Sequence, residues 1–315
     1  MSIDAPICIL GLGLIGGSLL RVTADNGRKA FGYNRSAATV DAAQAAGYDA
    51  STDLVQTLRR AAECDAVIVL ATPVTALESV LPAVVEHAPR CLLTDVVSVK
   101  EEVARIVAAH HPQARYVGGH PMAGTSESGW DATDPALFTG AMWMLTTADD
   151  TDPDDWRTIA AIALDAGARV VPAANDAHDR AVAAISHLPH LTANVTAVVG
   201  AGESNLALSL AAGSFRDGTR VADTAPALQR AMLEANSTAL LNALSETIDR
   251  LIQARDELRD HGTVEILVDD GHRARLAYDK IAAGPREAIT GVDVGAPGWA
   301  HEMRRQAHRA RVWLG

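Results

Sequence analysis

An apolar run that feeds straight into a glycine-rich turn limits what this chain can become. Ile7-Cys-Ile-Leu10 leads into Gly11-Leu-Gly13-Leu-Ile-Gly16-Gly17-Ser18, with three glycines in the spacing GxGxxG. The first glycine allows a tight turn, the second lets backbone amides approach a pyrophosphate, and the third lets a helix pack close to the strand. A helical run from Leu14 to Ala24 follows, and a second strand candidate, Ala30 to Asn34, arrives at the distance such a unit requires. The stretch therefore reads as a dinucleotide site, with Gly11, Gly13, Leu14, Ile15 and Gly16 around a phosphate at a helix N-terminus. The competing reading is a glycine-rich turn that serves packing alone.

At 315 residues and 48% hydrophobic composition the chain is long and apolar enough for two domains. No run reads as long enough to span a bilayer, and strand residues begin too close to Met1 for a signal peptide, which points to a soluble cytoplasmic protein. Three cysteines, Cys8, Cys64 and Cys91, lie in or beside apolar runs and read as buried reduced thiols rather than disulfides or metal ligands. A net charge of -12 argues against nucleic acid as a partner, so a small-molecule substrate is expected.

Short apolar runs alternate with helical stretches through the first half. Strand candidates are 7–10, 30–34, 66–71, 91–95, 115–119, 141–147 and 168–172, which predicts an α/β domain over 1–174 with a doubly wound, mostly parallel sheet of Rossmann type. Ligands bind beyond the carboxyl ends of strands in such sheets, so Gly11–Ser18, Asn34–Ser36, Thr72-Pro73, Asp95–Ser98 and His120–Gly124 are the stretches to read for function. The acidic run Asp149–Asp155 reads as the capped first turn of a helix. After Ala174 the strand pattern gives way to Ala/Leu-rich helical stretches, an all-helical domain over 175–260 suited to pairing two subunits, so a homodimer is expected. Residues 261–315 read as a short irregular extension with one β-like run at Val264–Val268. From His272 onward it carries eight Lys/Arg against four Asp/Glu, which suits either a tail docked on an acidic face or a loose extension.

Cofactor choice is read at the end of the second strand. A carboxylate there would bind the ribose 2′-hydroxyl of NAD and repel a 2′-phosphate. This chain has Asn34-Arg35-Ser36 instead, all able to donate to phosphate, so NADP is favoured over NAD. NAD returns if Arg35 only stacks on the adenine while Asn34 holds the ribose. Thr72 and Pro73, after the strand at 66–71, complete the expected cofactor edge.

His120 opens Gly119-His-Pro-Met-Ala-Gly-Thr125, a stretch too rich in Gly and Pro for a helix and expected to be a loop. A histidine at a strand's carboxyl end can take the proton of a hydroxyl while hydride leaves its carbon for a nicotinamide. Ser98, at the expected start of the next helix, could orient that histidine or act as an N-cap. Farther on, Ser186-His187-Leu-Pro-His190 places two histidines three apart, but no HExxH or cysteine partner accompanies them and Pro189 interrupts the turn, so no metal site is expected. Arg220 offers a fork for a carboxylate.

Taken in order, Gly11–Ser18, Asp95-Val-Val-Ser98-Val-Lys100, Gly118-Gly-His120-Pro-Met-Ala-Gly124, Ser186–His190 and Phe215-Arg-Asp-Gly-Thr-Arg220 resemble the prephenate/arogenate dehydrogenase family of tyrosine biosynthesis, over about residues 5–260. The resemblance implies oxidative decarboxylation of a cyclohexadienyl substrate. It makes His120 the catalytic acceptor of the ring hydroxyl proton, Ser98 its assistant, His190 and Arg220 the holders of substrate, and His187 a supporting residue. Lys100 and Arg216 could add positive field or be ordinary surface charge. Many family members carry an acid at the end of the second strand, and its absence here puts NAD in doubt.

The sequence leaves prephenate and arogenate open, since they differ in a keto against an amino acid side chain. Asp217 could pair with the ammonium of arogenate or be tied up with Arg216 or Arg220, and prephenate is the lead. A lysine-dependent β-hydroxyacid dehydrogenase would need asparagine three residues after its lysine, but Lys29, Lys100 and Lys280 are followed there by Gly32, Val103 and Ala283. A non-catalytic dinucleotide sensor, with merely structural histidines, is the remaining alternative.

Overall fold

The computed structural model describes residues 5–125 and 127–315. The elements run β1 Ile7–Leu10, α1 Leu14–Asp25, β2 Ala30–Tyr33, α2 Ala37–Ala45, β3 Ala50–Ser51, α3 Leu54–Glu63, β4 Val67–Leu70, α4 Val74–His87, β5 Leu93–Asp95, α5 Glu101–His110 and β6 Tyr116–Val117. Then come β7 Gly119–Pro121, β8 Met142–Thr146, α6 Pro153–Asp165, β9 Arg169–Ala173 and α7 Asn175–Val182. A π-turn, Ala183–His187, joins α7 to α8 Leu188–Glu203. It is followed by α9 Asn205–Ser209, α10 Gly213–Thr219, a 3₁₀ turn Arg220–Asp223, α11 Pro226–Ala235, α12 Ser237–His261, α13 Glu265–Ala283 and α14 Trp299–Ala307.

Six strands form an all-parallel sheet in the order β3-β2-β1-β4-β5-β6, as expected of the doubly wound α/β class. Alternation along the strands explains why both faces are dry. Ile7, Ile9, Val67 and Val69 pack into one apolar cluster, while Cys8, Leu10, Ile68 and Leu70 pack into another on the opposite face. Helices α3, α4 and α5 supply the second cluster, and α1 and α6 supply the first. Polar caps fix where several helices begin: Ser36 accepts from Thr39 N on α2, Asp53 from Gln56 N on α3, and Asp152 from Asp154 N and Asp155 N on α6. The acidic run thus caps a helix, and Asp155 also pairs with Arg115.

The later strands do not join the parallel sheet. β7, β8 and β9 form a three-stranded sheet in which β7 runs antiparallel to β8. Cysteine exposure also departs from expectation: Cys8 and Cys91 are buried, whereas Cys64 sits exposed at the end of α3. Burial raises both inner thiols, Cys91 to about 11, so they stay protonated.

Two compact units divide the chain. The first holds residues up to Asp179, then Asp223–Ala235 and Ala288–Gly315; the second holds Arg180–Ala222 and Asn236–Glu287. The expected irregular extension is corrected on two points. Val264–Val268 opens α13 instead of forming a strand, because the helix-forming run continues to Ala283. Residues 288–315 return to the first unit, where Ile289, Trp299 and Met303 join its core and Arg304 pairs with Asp149 at 2.7 Å. The basic tail therefore docks on its own acidic run.

The second unit is all helical. Val195, Val198 and Val199 on α8 and Leu241 and Leu251 on α12 remain exposed in this chain. One correction concerns membranes: the continuous run Asn175–Glu203 is long and apolar enough to cross one by length and composition, although only 22% of its most apolar window is buried. The π-turn joins α7 to α8 without a break, so the run exceeds what separate helices would give.

Candidate active site

The glycine loop lies where strand order reverses between β1 and β4, the crevice position for ligands in such sheets. Its three glycines do different work. Gly11 has φ +111°, and a Cβ there would stand 2.6 Å from the Ala71 carbonyl oxygen, so only glycine fits. A Cβ on Gly16 would collide with the Gly11 carbonyl oxygen and come within 2.8 Å of the Ala71 Cβ. Around Gly13 a Cβ would meet nothing within 4 Å. Gly13 is also the N-cap of α1, where no side chain caps the helix and the first turn has no acid. Backbone amides and the positive end of the helix dipole thus face open space beside Gly13, Leu14 and Ile15.

Thr72, just past β4, has a buried hydroxyl with no hydrogen-bond partner among the described residues, and Pro73 caps α4 next to it. Asn34 Oδ1 accepts from Ser36 N at 2.9 Å, and Ser36 Oγ accepts from Thr39 N at 3.3 Å. Those two oxygens accept within the turn, which leaves the Asn34 amide NH2, the Ser36 hydroxyl hydrogen and the exposed Arg35 guanidinium as donors. A glycine cradle open at one position, an orphaned hydroxyl and a basic rim fit a nicotinamide dinucleotide.

His120 lies in β7, opposite Met144 of β8, rather than in a loop. The glycines before it allow this strand to form in a crowded place: a Cβ on Gly119 would stand 2.8 Å from the Asp95 carbonyl oxygen and 3.0 Å from Trp143 Nε1. His120 Nδ1 is 2.8 Å from His178 Nε2, the two rings meeting edge to face. His178 Nδ1 is in turn 2.7 Å from Asp179 Oδ1. The Asp179 carboxylate also accepts from Lys100 N at 2.8 Å and Glu101 N at 2.9 Å. Burial pushes its pKa up, but the hydrogen bonds from His178 and those two amides prevail and hold it below the usual carboxylate value.

Asp179, not Ser98, therefore satisfies the start of α5, and Ser98 stands half-buried in the loop before that helix. Lys100 is not a surface charge or a field at the pocket. It is fully buried, its Nζ paired with Asp95 Oδ1 and donating to the Gly119 carbonyl at 2.5 Å. Asp95 Oδ2 accepts from Tyr116 OH at 2.6 Å and from Gly119 N at 3.3 Å. Burial pulls the Lys100 pKa below its ordinary value against the opposing pull of Asp95, and burial beside the same carboxylate pushes Tyr116 well up.

In the second unit, Pro189 follows the π-turn at the head of α8 and does not break the run, which continues from Asn175 to Glu203. The π-turn before it changes the helical register between His187 and His190. His187 is buried with Nδ1 3.1 Å from Asn236 Nδ2, a supporting role. His190 is half-buried and hydrogen-bonded to the Val221 backbone. Burial and the adjacent Arg220 charge hold its pKa below the ordinary imidazole value despite that bond. Arg220 opens the 3₁₀ turn and is exposed, so this unit does bring His190 and Arg220 together. Phe215 explains part of the motif, since its ring fills the space a Cβ on Gly200 of α8 would need. Asp217 is exposed and lies 3.5 Å from Arg216, its ion partner.

His178 and Asp179 escaped the motif reading. They follow β9, and reading the carboxyl end of that strand as closely as the earlier ones would have brought Asn175–Asp179 into view.

The profile of the prephenate dehydrogenase nucleotide-binding domain matches residues 20–172, and that of the prephenate dehydrogenase dimerization domain matches residues 174–269. The prephenate dehydrogenase of Bacillus subtilis is 32% identical over 261 residues, covering 79% of this chain and 69% of that protein. The cyclohexadienyl dehydrogenase of Zymomonas mobilis is 31% identical over 292 residues, covering 88% and 97%. A solved structure from Corynebacterium glutamicum, provisionally classed as a prephenate dehydrogenase, superposes with a TM-score of 0.93 at 44% identity over 99% of both chains. With both domain profiles matched in order and relatives above 30% identity along most of its length, the chain belongs to the prephenate dehydrogenase family of oxidoreductases.

Proposed function

We propose that this chain is a cytoplasmic prephenate dehydrogenase that works as a homodimer with NADP, converting prephenate to 4-hydroxyphenylpyruvate and CO2 on the way to tyrosine. The observation that carries the reading is one unit holding both the open glycine cradle at Gly13 and His120, a histidine anchored through one ring nitrogen. Gly11, Gly13, Leu14, Ile15, Gly16, Thr72 and Pro73 hold the dinucleotide, and Asn34, Arg35 and Ser36 face its ribose end. A nicotinamide held there would supply the acceptor for the hydride of the carbinol carbon. His120 receives the hydroxyl proton, Ser98 assists it, and His190 with Arg220 holds the anionic substrate. Loss of the ring carboxylate as CO2 and aromatisation make the step effectively irreversible. The exposed valines and leucines of α8 and α12 supply the apolar surface for a second copy.

Prephenate leads over arogenate because the resemblance to the family is broad and Asp217, the acid that could meet an ammonium, lies 3.5 Å from Arg216. Initial rates with both substrates and both nucleotides test the assignment; a tenfold higher kcat/KM for arogenate overturns it. For the base, His120→Asn keeps a polar group but removes the proton acceptor. We expect kcat to fall about 10²- to 10⁴-fold and the acidic limb of the pH profile to disappear, with dinucleotide affinity within a few-fold. Near-normal turnover in that variant would make His120 structural and His190 the next candidate.

A further inference from the structure

His120, His178 and Asp179 form a chain whose proton positions are fixed from one end. Asp179 is held below the usual carboxylate value and accepts from Lys100 N and Glu101 N; a carboxylate has no proton to donate, so at the contact with His178 it accepts, and His178 Nδ1 carries the proton. In a neutral imidazole the other nitrogen then holds a lone pair. His178 Nε2 must accept, and the donor facing it at 2.8 Å is His120 Nδ1–H. His120 is left with its lone pair on Nε2. The opposite pattern needs a doubly protonated His178, a cation in a site where that residue is 5% exposed.

We propose that His178 and Asp179 are positioning residues that lock His120 in the tautomer with a basic Nε2. The role rests on His120 being the base. Asp179 sets the proton on His178, His178 sets the proton on His120, and neither needs to touch substrate. The same carboxylate caps α5, so the lock is anchored to the framework of the first unit.

The test uses full-length protein labelled with ¹⁵N at histidine, together with steady-state kinetics. In wild type, His120 Nδ1 should show the shift of a protonated ring nitrogen and Nε2 that of an unprotonated one. In Asp179→Asn the carbonyl oxygen keeps the bond from Glu101 N at the Oδ2 position, while the amide at the Oδ1 position gives up the bond from Lys100 N, donates to His178 Nδ1 and reverses the chain. We expect the His120 signals to exchange character, with kcat down about 10²- to 10⁴-fold and KM within about threefold. His178→Gln can present a carbonyl oxygen to His120 Nδ1–H and should recover much of the kcat that His178→Leu loses. This second pair decides the matter should Asp179→Asn fail to fold. An Nε2-protonated His120 in wild type, or equal kcat for the Gln and Leu variants, overturns the proposal. The ring-nitrogen readout is independent of turnover, so it separates failure of the lock from failure of His120 as base, which the His120→Asn variant reports.

Discussion

Two alanine substitutions in the glycine loop should fail in opposite ways. In Gly16→Ala the new methyl runs into the Gly11 carbonyl oxygen and stands 2.8 Å from the Ala71 Cβ. Both obstacles belong to the framework of β1 and β4 rather than to flexible side-chain ends, so the strain stays. Overpacking of this kind costs about 1–3 kcal/mol. Alanine regains up to about 1 kcal/mol of helix propensity, which leaves a net loss of about 1–2 kcal/mol at the upper part of that range. Gly13→Ala meets nothing within 4 Å and has φ -80°, which alanine adopts freely. As an N-cap change it should cost under about 1 kcal/mol of stability.

The ligand reverses the ranking. If phosphate fills the open space at Gly13, a methyl there costs about 1–3 kcal/mol of binding, or about 5- to 150-fold in Kd. Urea denaturation followed by tryptophan fluorescence reads the first effect, and calorimetric titration with NADP and NAD reads the second. Gly13→Ala with wild-type affinity for both nucleotides would refute the cradle, and Gly16→Ala with wild-type stability would refute the packing.

Arg35→Ala should weaken NADP by about 1.5–3 kcal/mol while NAD changes little, as expected for a charged hydrogen bond to the 2′-phosphate; equal losses would return NAD as the cofactor. Lys100→Met should destabilise the first unit by about 3 kcal/mol in urea, the lower end for a broken buried pair, because Asp95 keeps its bonds from Val97 N, Tyr116 OH and Gly119 N. Asp95→Asn added to it should recover part of the loss; no recovery would mean that the charge left behind was not the cause. His190 has a depressed pKa when folded, so the native state binds fewer protons than the unfolded chain as pH falls below the ordinary imidazole value. Its contribution is full above that value and declines as pH falls toward the folded one. Urea midpoints at pH 7.5 and 5.5 should therefore differ less in His190→Gln than in wild type.

The parts of the fold that could be read from sequence are those where local and global preferences agree. β1 is apolar at every position because both faces of a central parallel strand are covered, and its turn, helix and partner strand follow at short range. β7 was hidden because Gly119 and Pro121 both disfavour strands; pairing with β8 from more than twenty residues away overrides them. Val264, Ile266 and Val268 alternate as a strand would, but the window is too short to outweigh the helical run after it. The site divides in the same way. His120, His190 and Arg220 stand in compact motifs, whereas His178 reaches His120 across 58 residues of chain and carries no local signature.

The buried pair of Asp95 and Lys100 explains how a glycine-rich strand can hold a histidine steady. Burying two charges is costly, and an apolar pair of similar volume would often be as stable. An apolar pair could not grip a peptide backbone. Lys100 Nζ donates to the Gly119 carbonyl while Asp95 Oδ2 accepts from Gly119 N, so the two side chains hold the residue before His120 by both its polar groups. Tyr116 OH, on the same carboxylate oxygen, fixes the carboxylate in turn. The amide of Lys100 is held by Asp179, which also holds His178. His120 is thus fixed twice, through its backbone by the ion pair and through its ring by His178, and the two restraints meet at Lys100. Substitution at Lys100 removes the side-chain grip on Gly119 but keeps the residue's own amide on Asp179, whereas substitution at His178 removes the ring restraint and leaves the backbone grip in place.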